Sequence, residues 1–105
     1  MKSQGATTWS LETIERLRLK LVPSWTVCWC GDPWTQFGLR IIHMQVFPTN
    51  EEIVQCFLHE ACHALRGKGG HEQDFWDELE VLVREQLDAD LVPHQLKMMN
   101  DYLTP

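Results

Sequence analysis

The stretch from residue 49 to residue 76 reads TNEEIVQCFLHEACHALRGKGGHEQDFW and contains signals for where a helix starts and stops. Thr49 followed three residues later by Glu52 is a capping box, which predicts that a helix begins here. Gly67 is typical of the position after a helix C-terminus, because glycine adopts a left-handed conformation without steric cost. The sequence therefore predicts one helix that ends at Arg66.

The middle of this helix carries the motif HExxH, formed by His59, Glu60 and His63. Residues four apart lie on the same face of a helix, so both histidines can offer an imidazole nitrogen to one ion. Glu60 projects about 100° around the helix, where its carboxylate can reach a water on that ion. The motif predicts a catalytic zinc site with Glu60 as the general base.

A catalytic zinc ion usually takes three protein ligands and keeps a fourth position for water. His71 is the favoured third ligand, because the glycine-rich segment 67–70 lets the chain reverse and bring it under the metal. Glu72, Asp74 and Glu78 are rival third ligands. The rivals stay open at this point, and Glu78 is attractive because it falls inside the next predicted helix.

The register of the helix separates two faces. Cys56 shares the polar face with the two histidines and is expected to form a wall of the site rather than a ligand. The opposite face is expected to be buried, and it carries Val54, Phe57, Leu58, Ala61 and Leu65. Such a division fits a helix that packs on its back and presents ligands at its front.

The flanking segments predict an α+β domain. Ser10 can cap an N-terminal helix that runs to about Leu21, with Leu11, Ile14, Leu17 and Leu21 on one stripe. Residues 25–30 alternate as a strand does, and residues 35–47 form one strand or two, depending on Gly38. We expect a small antiparallel sheet of two to three strands, in which residues 39–46 pair with a substrate peptide.

The remaining helix is expected to extend to about Leu87, with Phe75, Leu79, Leu82 and Val83 directed inward. We predict no helix or strand for the first eight residues or for the segment beyond Leu87.

Length and composition restrict the function classes. The chain of 105 residues and 12.3 kDa corresponds to one domain, residues 1–105, with a core at about 10–87. Nine basic and 15 acidic residues give a net charge of −6, which argues against a general nucleic-acid binder. The sequence contains neither a long apolar run nor an apolar signal core, so we expect a cytoplasmic protein without a membrane partner.

The four cysteines, Cys28, Cys30, Cys56 and Cys62, form no CxxC pair. Reduced thiols are the favoured interpretation, because a secreted disulfide scaffold would carry a signal peptide and more regular spacing. Cys28 and Cys30 could form half of a metal site, but the sequence shows no second half. His43, a single histidine within a predicted strand, is interpreted as structural.

The run from residue 53 to residue 76 resembles the SprT-like family of zinc metalloproteases. That family pairs a HExxH helix with a later histidine that opens a helix and is soon followed by an aromatic pair, here His71 with Phe75 and Trp76. The resemblance covers about residues 10–87. It implies zinc bound by His59, His63 and His71, and a protein or peptide substrate.

The chain departs from that family in two ways. Glu72 and Gln73 follow the third histidine where members often have Gly-Pro, and the sequence shows no cysteine-rich zinc ribbon. DNA-linked members cleave proteins crosslinked to DNA. The resemblance therefore admits a DNA association, which the net charge does not support.

Two alternative functions remain open. The metal could be purely structural and stabilise a small binding module. A repressor-cleaving metallopeptidase resembling the ImmA/IrrE group would use an acidic third ligand such as Glu78. The metzincin pattern does not fit, because Arg66 and Gly69 stand where it needs glycine and histidine.

Overall fold

The computed structural model describes residues 8–47 and 49–87, and it shows an α+β domain. The expectations for residues 1–7 and for the segment after Leu87 lie outside the described residues. Three helices and three strands follow one another along the chain: α1 (Thr8–Leu21), β1 (Thr26–Trp29), β2 (Trp34–Gln36), β3 (Ile41–Met44), α2 (Asn50–Arg66) and α3 (Gln73–Gln86). The α+β class predicted from the sequence is therefore confirmed.

The sheet is mixed rather than antiparallel, with strand order β1-β3-β2. β1 pairs with β3 in parallel, and β2 pairs with β3 antiparallel. The expected antiparallel sheet is wrong for β1, because the short connection after β1 crosses the end of β3. There the backbone N–H groups of Cys30 and Gly31 donate to the Met44 carbonyl at 3.1 and 3.2 Å.

The extended segment from residue 35 to residue 47 forms two strands joined by a turn at residues 37–40. Gly38 lies in this turn, so it marks a hairpin rather than a bulge. β3 then runs through the centre of the sheet, with β1 and β2 on its two sides. The expectation that residues 39–46 pair with a substrate peptide is wrong, because both sides of β3 are already hydrogen-bonded.

The hydrophobic core lies between one face of the sheet and the helices. Side chains alternate along β3, and Ile42 and Met44 are completely buried on the helix side. The helices contribute fully buried side chains to the same cluster, among them Leu17, Ile53, Val54, Phe57, Leu58, Ala61 and Phe75. Each of these side chains larger than alanine contributes about 1.5–3 kcal/mol relative to exposure. α2 therefore carries the largest share of the core.

The inward face predicted for α3 is confirmed. Phe75, Leu79 and Val83 are buried, and Leu82 packs against the core while half-buried. Trp76 joins them with 8% of its surface exposed.

Two details of the predicted helices are wrong. α1 begins at Thr8, so Ser10 lies inside it. Leu11 of the predicted stripe is exposed, whereas Thr13, which lies outside that stripe, is buried. Leu65 was expected on the buried back of α2, but half of its surface is exposed. The Leu65 side chain lies with Leu82 along an open cleft between α2 and α3, and α3 does not cover it.

Both ends of α2 follow the predicted capping pattern. The Thr49 hydroxyl oxygen accepts the backbone N–H of Glu52 at 3.2 Å, and the hydroxyl donates to the Glu52 carboxylate at 2.9 Å. Gly67 takes a left-handed φ of 75°, and its N–H donates to the His63 carbonyl. These contacts satisfy backbone groups that a helix end would otherwise leave without partners.

Replacing Gly67 by alanine should destabilise the domain, because a Cβ at this left-handed φ costs about 1–2 kcal/mol. Gly69→Ala is the matched control: its φ is not left-handed, and an added Cβ has no neighbour within 4 Å. It should be neutral or stabilise the fold by up to about 1 kcal/mol. Urea unfolding of both variants at the same metal content measures the difference. Equal free energies of unfolding would contradict the assigned role of Gly67.

Candidate metal centre

The imidazole rings of three histidines converge beside α2. Nε2 of His71 lies 3.0 Å from Nε2 of His59 and 3.2 Å from Nε2 of His63. His59 and His63 stand one turn apart on α2, and His71 lies in the segment just before α3. The structure thus brings together the three residues that the sequence suggested as ligands, and they form a group able to hold one metal ion.

The connection between α2 and α3 places His71 under the motif helix. Gly67 and Gly70 both take left-handed φ values, of 75° and 99°, which reverse the chain within a few residues. The Arg66 side chain then joins the two helices, because its guanidinium contacts Asp74 and Glu78 at 3.1 Å each. The end of α2 is thereby tied to the start of α3, with His71 between them.

Further contacts fix the orientation of His63. Its Nδ1–H donates to the Lys68 carbonyl at 3.3 Å, which leaves Nε2 as the nitrogen with a lone pair. The ring of Phe75 stacks on the imidazole with a centroid distance of 4.4 Å. His63 therefore presents Nε2 to the other two histidines in a defined direction.

Trp76 supports His71 in two ways. Its indole Nε1–H donates to the His71 carbonyl at 3.1 Å, and its ring stacks on the imidazole at 5.5 Å between centroids. The aromatic pair that follows the third histidine in the sequence thus packs directly against the histidine cluster. Helical periodicity predicted only that Phe75 is buried, and the family resemblance alone linked the aromatic pair to the third histidine. The contacts of Phe75 and Trp76 supply a physical reason for that pattern.

The surroundings of His59 and His63 lower the pKa of both imidazoles and favour their neutral form. Burial, with the nearby charges of His63 and His71, lowers the pKa of His59 to about 4. Burial also lowers the pKa of His63. Neutral imidazole is the form that binds a metal, and unprotonated nitrogens this close repel each other unless a proton or a cation lies between them. The donor set and its spacing therefore fit a divalent transition metal.

The acidic rivals for the third ligand position lie elsewhere. Asp74 and Glu78 are paired with Arg66, and that ion pair lowers the pKa of Asp74. Glu72 is an exposed residue at the N-terminus of α3. Within residues 8–47 and 49–87, none of the three belongs to the group formed by the histidines.

Glu60 is buried, with 9% of its surface exposed. Thr35 lies in the middle of β2. Its hydroxyl oxygen is 2.7 Å from the carboxylate Oε1 of Glu60 and 3.0 Å from the backbone carbonyl oxygen of Glu60. Burial raises the pKa of Glu60, and the Thr35 hydrogen bond opposes that shift. The Thr35 contact could not be predicted from the sequence, because Thr35 and Glu60 are 25 positions apart and no local pattern connects them.

A cleft of about 380 Å³ opens beside these residues. His59, Glu60 and His71 line it, together with wall residues from α2 and from the two loops that flank the sheet. Cys56 is one of those wall residues, as the sequence suggested. Glu60 and two of the histidines therefore face one common space.

Comparisons of the chain with protein-family models, with curated proteins and with solved structures found no match.

Among the described residues, none of the helices combines the length and the apolar character needed to cross a membrane.

Replacing Trp76 by phenylalanine should weaken zinc binding, because the hydrogen bond to the His71 carbonyl is lost. The substitution keeps an aromatic ring at this position. Loss of an outer-shell partner typically costs about 10–100-fold in metal affinity. Zinc titration followed by the imidazole proton resonances of the three histidines measures this site alone. Trp25→Phe is the matched control, because that indole is half-buried and packs edge-on against Phe37. Equal zinc affinities in the two variants would contradict the assigned role of Trp76.

Proposed function

We propose that this protein is a zinc-dependent metallopeptidase in which His59, His63 and His71 hold the metal and Glu60 is the general base. The observation that carries the proposal is the convergence of three Nε2 atoms next to a cleft that His59, His71 and the buried Glu60 line. The resemblance of residues 53–76 to the SprT-like proteases points to the same reaction.

The number of ligands supports a catalytic rather than a structural metal. Structural zinc sites usually close with four protein ligands and favour cysteine, whereas catalytic sites have three ligands and one open position. The described part of the chain contributes three imidazoles to this group. A structural site would also leave a buried carboxylate, Glu60, without a function beside the metal.

Zinc supplies Lewis acidity when bound, which lowers the pKa of a coordinated water and polarises a carbonyl oxygen. Glu60 accepts a proton at its carboxylate and returns it to the leaving nitrogen of the peptide bond. Thr35 donates to Oε1 of Glu60 and so orients the carboxylate. The same hydrogen bond lowers the pKa of Glu60, and burial, the larger effect, raises it. A raised pKa brings Glu60 closer to the value that general-base catalysis at neutral pH requires.

A peptide is the substrate class that best suits the sheet. β2 lies at one side of the sheet, and Thr35 at its centre contacts Glu60. An extended peptide added along the outer side of β2 would run past the general base. We do not extend the proposal to DNA, because a net charge of −6 opposes contact with a phosphate backbone.

The arrangement favours this function over a repressor-cleaving enzyme with an acidic third ligand. Glu78 would have to leave its contact with Arg66 to reach the metal, whereas His71 is already in place. The four described cysteines are all free thiols, which fits a reducing compartment such as the cytoplasm.

Replacing Glu60 by glutamine should abolish peptide cleavage and leave zinc binding intact, because the amide keeps the shape of the side chain but accepts no proton. We expect a loss of about 10²–10⁴-fold in kcat. The measurement is cleavage of a diverse peptide library by the zinc-loaded protein, read by mass spectrometry, with zinc content determined on the same samples.

Glu12→Gln, at an exposed position of α1, is the charge-matched control and should cleave as the unaltered protein does. Full turnover by Glu60→Gln would contradict the assigned base. A zinc-loaded unaltered protein that cleaves no peptide would contradict the peptidase function and favour the structural-metal module.

A further inference from the structure

A second group of metal-ligating side chains lies on the opposite face of the sheet. Cys28, Cys30 and His43 place their sulfur and nitrogen atoms within 4.8 Å of one another. We propose that these three residues bind a second zinc ion, at a site independent of the three histidines. Local spacing indicated only the two cysteines as half of a site, and the fold supplies the third ligand.

The parallel pairing of β1 with β3 creates this cluster. Cys28 lies directly beside His43 in the register of the two strands. Cys30 follows Cys28 by two residues, so the two side chains leave the chain on the same face. A sheet with its strands in sequential order, β1-β2-β3, would have separated Cys28 from His43. The ligand set therefore depends on the strand order and is invisible in the sequence alone.

Neighbouring side chains hold His43 in an orientation suited to a metal. The Nε2–H of His43 donates to the Gln36 side-chain oxygen at 2.8 Å. Nδ1 therefore carries the lone pair, and it faces the Cys30 thiol at 2.8 Å. Trp34 stacks on the imidazole with a centroid distance of 4.5 Å and parallel planes, which fixes the ring. A metal-ligating histidine typically donates its other ring N–H to a neighbouring oxygen in this way.

The donor set selects the class of ion. Two thiolates and one imidazole suit zinc and other soft or borderline metals, and they do not suit magnesium or calcium. Cys28 and His43 are half-buried, whereas Cys30 is exposed at the edge of the cluster. An ion held here would keep its fourth position toward solvent.

The sheet separates the two clusters. Met44, next to His43 in β3, is completely buried on the helix side, where the Cys56 thiol donates to its sulfur at 3.8 Å. His43 therefore points away from α2 and from the three histidines.

The two sites still share one structural element. The connection after Cys30 contains Pro33, which forms part of the wall of the catalytic cleft, so an ion at the second site would fix that wall.

Cobalt substitution distinguishes the two sites, because only a thiolate ligand gives a sulfur-to-cobalt charge-transfer band in the near ultraviolet. Reduced protein, kept in a non-thiol reductant, is titrated with Co²⁺, and both the absorption and the bound cobalt are measured. We expect two cobalt ions per chain and a strong charge-transfer band. Cys30→Ser should lose the band and one of the two ions, and His71→Ala should keep the band and lose the other ion.

Cys56→Ser is the matched control, because this thiol lines the cleft beside the three histidines. The band should survive in that variant. Cys30 is exposed, so its replacement should leave the fold intact, and retention of one cobalt by Cys30→Ser verifies this. A single cobalt per chain without a charge-transfer band would overturn the proposal. So would a band that survives in Cys30→Ser and disappears in Cys56→Ser.

Discussion

The close approach of three imidazole nitrogens is the constraint on which the rest of the structure depends. Neutral nitrogens 3.0 and 3.2 Å apart repel each other unless a cation or proton lies between them. The fold nevertheless holds them there, through the caps of α2, the reversal at Gly67 and Gly70, and the link from Arg66 to α3. A metal ion would turn this repulsion into a stabilising interaction, which matters in a domain of this size.

The core and the cleft are two consequences of where α2 lies. One side of α2 packs against Ile42 and Met44 of the sheet, while His59 and Glu60 face the cleft. β2 completes the arrangement, since the Thr35 hydroxyl donates to the Glu60 carboxylate. Glu60 is thus held by a strand, while His59 and His63 stand on α2 and His71 lies in the connection between α2 and α3. Such rigid supports suit a site whose chemistry depends on atomic positions.

Local signals in the sequence were sufficient for α2 and for the shared face of His59 and His63, whereas His71 was only favoured over its acidic rivals. Capping at Thr49 and Gly67 depends on neighbours in the chain, and the spacing of His59 and His63 follows from helical periodicity. Sheet topology could not be predicted in the same way. The parallel partner of β1 is set by a crossing over the end of β3, and no residue pattern identifies that crossing. The Thr35 contact and the Cys28–His43 register both depend on it, so the sequence revealed neither.

The most direct test of the three-histidine metal centre is anomalous diffraction from crystals of the protein grown with zinc, recorded on both sides of the zinc absorption edge. We predict a strong anomalous peak at bonding distance, about 2.0–2.1 Å, from Nε2 of His59, His63 and His71. A map without a peak between these three nitrogens would contradict the account. A zinc ion bound there by Glu78 in place of His71 would contradict it equally.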